Sequence, residues 1–202
     1  WRNRRAELGM RILASEEQSE LIVNKSKFIG YSVIVNSRED FLGRLREIKT
    51  INSSASHAVY GLRIKKNTIE PYFSDDGEPS GTGGRPLISI LESKKIINCG
   101  LVVVRYYGGI NLGMGGLARA YSQAGSKAIL ASRIDNFTEL YDYILTIKYN
   151  NLDYISKVIL DNKGVILDRN FDQNIILKIR VSTSTKALIE KKFPTTKIQS
   201  LV

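Results

Sequence analysis

At 202 residues and 43% hydrophobic, the chain is long enough for one larger domain or two small ones with real cores, and it reads as globular. Its formal charge of +10 is dispersed: Arg2, Arg4, Arg5 and Arg11 against Glu7 supply +3 near the start, and no polybasic run of nucleic-acid type follows. No stretch approaches about 18 consecutive apolar residues, so no spanning helix is expected, and one cysteine with one histidine can form neither an internal disulfide nor a structural zinc set.

No resident metal or cofactor is expected, and the cysteine usage fits a reducing cytoplasm. The chain opens on Trp1 instead of methionine, which makes Met10 a candidate start. A basic balance suits a polyanionic partner such as RNA, and it equally suits a solvated basic surface.

In chain order, residues 21 to 35 read as β-structure, with Ile29, Tyr31, Val33 and Val35 on one face. Ser37 and Asp40 form an N-cap pair, and Phe41, Leu42, Leu45 and Ile48 predict a helix to about Lys49. Residues 57 to 64 alternate through Ala58, Tyr60, Leu62 and Ile64, and a glycine-rich loop follows. Pro86 is placed as a first helical residue ahead of Leu87, Ile90 and Leu91. Residues 99 to 107 are a continuous apolar run, the mark of a strand buried on both faces. Beyond a second glycine-rich loop, Leu117, Tyr121, Ala124 and Ala128 recur at helical spacing.

The rhythm changes at 132 to 139, which divides the chain into domains at 13–133 and 138–202. In the second, Tyr141, Tyr143, Leu145 and Ile147 alternate as a strand, Asn151 is placed to cap a helix carrying Leu152, Ile155, Val158 and Ile159, and Gly164 stands where a C-terminal cap would. Strands around 165–171 and 174–181 follow, the latter with Lys178 and Arg180 opposite its apolar face. A helix from about Thr183 to Phe193 stops at Pro194, and 197–202 make a last strand. The order β-α-β-β-α-β is that of a ferredoxin-like domain, so the fold class is α+β.

Nine of the sixteen glycines fall in two segments, DDGEPSGTGGRP at 75–86 and RYYGGINLGMGGLARAYS at 105–122. In the second, backbone N–H groups of GGINLGMGG can converge at a helix N-terminus and seat an anion. A tight strand-to-helix connection made by left-handed glycines explains the same pattern. Gly113 to Ala118 formally satisfies G-x-G-x-x-A, but about six residues separate it from the strand and no acid closes a second parallel strand, which excludes a dinucleotide fingerprint. The absence of G-K-[ST] excludes a P-loop.

In the first segment Asp75, Asp76 and Glu78 crowd three carboxylates into four residues, candidates for Mg²⁺, Ca²⁺ or acid/base work. Asp-Gly and Glu-Pro are also ordinary turn chemistry, and Arg85 and Arg105 are candidates to neutralise the cluster. His57 and Cys99 each open a strand, which leaves a Cys/His dyad geometrically open beside the commoner outcome of a core histidine and a buried thiol.

These two segments, with KSKFI at 25–29 and His57-Ala58, resemble the signature of the YigZ/IMPACT family in order and approximate spacing. The resemblance runs from about residue 13 to the end, with Met114 where a threonine is usual and Ala118 where valine is commoner. It implies a ribosomal-protein-like first domain containing a left-handed βαβ crossover and a ferredoxin-like second domain, the pair similar to domains IV and V of elongation factor G. Eukaryotic members are implicated in restraining the starvation-activated kinase of translation initiation. For this chain the resemblance implies a non-enzymatic, cytoplasmic regulator associated with translation that binds RNA, the ribosome or a translation-regulating protein. The motif residues that become candidate binding residues are His57, Asp75, Asp76, Gly77, Glu78, Pro79, Ser80, Gly81, Gly84, Arg85, Pro86, Arg105, Tyr106, Gly108, Gly109, Gly113, Gly115, Gly116, Arg119 and Tyr121. The competing expectation is a small-anion or metal-dependent enzyme or sensor that uses the DDGEP carboxylates and the GGINLGMGG amides.

Overall fold

In the computed structural model, which describes residues 9 to 201, the β-like stretch before residue 35 is not one strand but a hairpin. Asn24 and Lys25 take left-handed backbone (φ 44° and 64°) and turn β2 (Gln18–Val23) into β3 (Ser26–Ile34). The arginine-rich opening lies outside the described residues apart from Arg11, which belongs to β1 (Arg11–Leu13). The chain separates into two compact units, one ending at Phe137 and the other beginning at Thr138.

The first unit continues with α1 (Arg38–Ile51), β4 (His57–Lys65), β5 (Ile69–Ser74), α2 (Gly84–Ser93), β6 (Cys99–Tyr106), α3 (Gly113–Ala131) and β7 (Ile134–Asn136). Ser37 caps α1 as expected: its hydroxyl accepts from Asp40 N–H at 3.0 Å, and the Asp40 carboxylate accepts from Asn36 N–H. Five strands pair antiparallel in the order β2-β3-β6-β4-β5, so β6 is central and β3 and β4 flank it in the same direction.

That placement explains the apolar run. Leu101 and Val103 enter the core under α2 and α3, and Val102 and Val104 enter the core that holds Phe41, Leu45 and Ile48 of α1. Cys99 is buried, and its β4 partner is Arg63, whereas His57 faces Arg105 six positions along the same ladder. At roughly 3.4 Å per residue this puts His57 and Cys99 about 20 Å apart, and no Cys/His dyad exists. Burial pushes the Cys99 thiol up, so it stays protonated.

Two short strand features escape the pattern of the sequence. β5 carries Pro71, which breaks the strand signal and is tolerated because β5 lies at the sheet edge. β1 and β7, three residues each, pair antiparallel in a separate two-stranded sheet, too short to show alternation.

The second unit runs β8 (Tyr141–Ile147), α4 (Leu152–Asp161), β9 (Val165–Phe171), β10 (Ile175–Val181), α5 (Thr183–Lys192) and β11 (Lys197–Ser200), with sheet order β11-β8-β10-β9 and every pair antiparallel. This is the ferredoxin-like arrangement, with Leu145, Ile155, Ile159, Leu177 and Ile189 in its core. Two details differ from expectation. Asn151 makes no side-chain cap, because a 3₁₀ turn over Tyr149–Asn151 leads into α4. At the other end Lys163 (φ 60°), not Gly164, takes the left-handed position, while a Cβ at Gly164 would fall 2.6 Å from Val181.

Candidate binding cleft

The first glycine-rich segment folds around Asp75. Its carboxylate accepts the N–H groups of Gly81 (2.8 Å), Gly83 (2.9 Å) and Gly84 (2.8 Å), so it caps α2 from eight and nine residues upstream. Burial alone would raise the Asp75 pKa, but the three backbone N–H bonds outweigh it and hold the group below its ordinary value. Helix α2 therefore starts two residues earlier than Pro86 suggested, and Pro86 stands third in it. Gly84 is needed for contact, since a Cβ there would meet Ser74 backbone at 2.9 Å.

Asp76 is also committed internally. In left-handed backbone (φ 46°), its carboxylate accepts from Ala58 N–H at 2.7 Å and from Lys49 Nζ at 2.9 Å, and its carbonyl meets His57 Nδ1 at 2.8 Å. Gly77 (φ 89°) lies against the His57 ring. Glu78 turns inward: with 8% exposure its Oε1 accepts from Arg105 Nη1 at 2.8 Å and from Tyr121 Oη at 2.7 Å. All three carboxylates thus hold the loop in place, which is the turn reading, and among the described residues no group of three or more His, Cys, Asp or Glu is arranged to hold a metal ion.

The Glu78–Arg105–Tyr121 cluster ties the two loops together. Arg105 is 5% exposed, its guanidinium lies over the Phe28 and Tyr107 rings, and Nη2 approaches Ser26 Oγ at 3.4 Å. Ser26 also accepts from Gly108 N–H at 3.1 Å, and a Cβ on Gly108 would fall 2.1 Å from the Lys25 carbonyl carbon, so the second loop sits directly on the β2–β3 turn. Tyr121 packs edge-on against Phe28 at 5.2 Å, and burial followed by its bond to Glu78 pushes the phenol up. Ser26 and Phe28 are site residues that the reading of individual side chains missed; their position inside KSKFI was the available signal.

Above this cluster opens a cleft of about 480 Å³. Glu78 and Pro79 line it from the first loop, Arg105 and Tyr107 from the end of β6, and Asn111 to Met114 with Leu117 from the second loop and α3; His57 completes it. Several candidates lie elsewhere. Tyr106 points to the opposite face and donates to Asn52 Oδ1 at 2.8 Å, Arg85 is exposed and stacks over Phe73 without joining the acids, and Ser80 and Gly81 are exposed on the loop. Gly109 (φ 80°) and Gly113 (φ 68°) supply left-handed turns, Gly115 and Gly116 are already helical, and Arg119 is exposed one turn further along α3. In the other unit Arg180 is engaged by Asp142 at 2.6 and 3.0 Å, so the basic face there is partly neutralised.

The Impact N-terminal domain family matches residues 24–129, just over half of the chain and all of the cleft. The chain belongs to the IMPACT family. An IMPACT family member of Haemophilus influenzae is 34% identical over 81% of this chain and 80% of its own length, and IMPACT family member YigZ of Escherichia coli is 34% identical over 84% of each. A solved hypothetical protein superposes with a TM-score of 0.68 over 96% of this chain and 97% of its own, at 24% identity, which establishes a shared two-unit α+β fold. Within the matched region Glu78, Arg105 and Tyr121 form the buried cluster beneath the cleft, and Asp75 and Asp76 fix the first loop by accepting backbone N–H groups. Among the described residues no helix is long and apolar enough to cross a membrane.

Proposed function

We propose that this IMPACT-family chain is a non-enzymatic binding module associated with translation, and that it contacts RNA, free or in the ribosome, through the face formed by its two glycine-rich loops. The observation behind the reading is the contrast across that face. A buried charged cluster fixes both loops from below, and the upper side presents Tyr107 (49% exposed), Ile110 (41%) and Met114 (61%) beside the exposed cations Lys25 and Arg119. Exposed aromatic and flexible apolar groups interleaved with cations suit stacking of unpaired bases along a phosphate backbone. The link to translation comes from the family resemblance.

Arg105 is an unsuitable probe of this surface, because its loss strands Glu78. The test is association with ribosomes and total RNA at about 50 and about 200 mM salt, comparing the native chain with a Lys25→Ala, Arg119→Ala double variant. Two lost phosphate contacts should reduce the log–log salt slope by about 1.4 on single-stranded RNA. Equal binding by both proteins would reject the loop face, and no binding at either salt would transfer the reading to a protein partner.

A further inference from the structure

Between Glu92 and Asp135 the chain carries six Lys and Arg and no acid. Lys94 and Lys95 follow α2, and Arg105 is buried against Glu78; the other three, Arg119, Lys127 and Arg133, belong to α3 or lie just past its end. This stretch is basic through its lack of acids, without a polybasic run.

Helix α3 buries Leu117, Ala120, Tyr121, Ala124, Ala128 and Ile129, so its other side faces solvent. On that side Gly115, Arg119, Gln123 and Lys127 are all exposed and follow one another four residues apart. They form one row, rising about 6 Å at each step. The row starts next to Met114, which lines the cleft, and runs toward the far end of the helix. Leu130, 73% exposed, lies beside it, and Arg133 is exposed beyond it.

The charge of this row is not answered by the fold. No ion pair among the described residues takes Arg119, Lys127 or Arg133, whereas on the opposite side of the sheet α1 has Arg44 paired with Glu16 and Lys49 with Asp76. The neighbouring strand β2 brings Glu20, but its carboxylate is held by Lys27 at 2.9 Å, and Lys127 Nζ reaches only the Glu20 carbonyl, at 3.5 Å. Exposed cations without a counter-charge contribute little to stability and leave a positive field for a polyanion.

We infer that α3 is the track of a single RNA strand, which leaves the loop face and runs along the helix with its phosphates against Arg119, Lys127 and Arg133. Gln123 bonds between the cations, and Leu130 gives a ribose or base an apolar contact. A helix of 19 residues spans about 28 Å, so the strand covers several nucleotides, within the range of about 4–16 found for single-strand grooves. The inference rests on the RNA reading and extends it from the loops to the helix.

The experiment is fluorescence anisotropy of the full chain with single-stranded RNAs of about 4 and about 16 nucleotides, between about 50 and about 200 mM salt. A Lys127→Ala, Arg133→Ala variant, both positions exposed, should unfold at the native urea midpoint. On the longer RNA it should lose about 1.4 from the log–log salt slope, the share of two phosphate contacts. On the shorter RNA, which the loop face alone can hold, its slope should stay native. An Arg38→Ala, Arg46→Ala variant removes the same charge from the exposed side of α1 and should keep the native slope on both. A native slope for Lys127→Ala, Arg133→Ala on the longer RNA, with Lys25→Ala, Arg119→Ala still impaired, overturns the track and leaves the loop face standing. An equal loss in the α1 variant also overturns it, since the effect would then follow net charge and not place. Absence of RNA binding by the native chain removes the track together with the reading beneath it.

Discussion

Glu78 joins the cluster at one point, since Arg105 and Tyr121 both donate to the same carboxylate oxygen and the Glu78 and Arg105 side chains are almost fully buried. A buried pair of this kind is weak evidence of net stability, but breaking it from one side leaves an uncompensated charge. Glu78→Ala should therefore destabilise the first unit by about 3–5 kcal/mol in urea unfolding, and Glu78→Leu with Arg105→Met should cost much less than the sum of the single changes. Additive losses would show that the two residues act separately. Asp75 gives a pH test. Its folded pKa lies below its unfolded value, so its stabilising contribution is complete above about pH 4 and is lost as pH falls through the lower folded value. The urea midpoint of the native chain should thus converge on that of Asp75→Asn as pH drops from about 4, and a constant gap would contradict the capping role.

At the scale of elements, what could be read from the sequence was whatever depends on periodicity. The faces of β4 and β6, the stripe of α3 and the whole βαββαβ order of the second unit follow from apolar spacing, because those elements bury a regular face. The β2–β3 turn was not legible: neither Asn24 nor Lys25 is glycine, yet both adopt positive φ because the strands on either side and the second loop fix the turn. The cap of α2 was missed for a related reason, since Asp75 reaches it across a loop and cap signals are local. In the site, the acids and glycines were recognisable as a group, but their bonds to Ala58, Lys49, Arg105 and Tyr121 depend on strand pairing that no spacing reveals. A left-handed lysine costs roughly 1 kcal/mol where glycine would be at ease. Lys25→Gly should accordingly raise the stability of the first unit by about 0.5–1 kcal/mol in urea unfolding while weakening RNA association, and a variant that gains stability without losing affinity would remove Lys25 from the proposed surface.

The division of the whole chain at Phe137 and Thr138 separates chemistry as well as structure. Both glycine-rich loops, and the buried cluster that fixes them, belong to the first unit, whereas the second has its own core of Leu145, Ile155, Ile159, Leu177 and Ile189 under a complete four-stranded sheet. A fragment spanning 138–202 should therefore fold alone, with a cooperative urea transition of about 3–5 kcal/mol, the range that a core of this size supports. Its charge of +3, from 10 Lys and Arg against 7 Asp and Glu, is further reduced locally where Arg180 is held by Asp142. If the loop face is the RNA surface, that folded fragment should show little RNA association at about 50 mM salt, under conditions where the full chain binds and loses affinity by about 200 mM. A folded 138–202 fragment that binds as tightly as the full chain, with the same salt slope, would move the interface to its open sheet and leave the glycine-rich loops of the first unit with a purely architectural role.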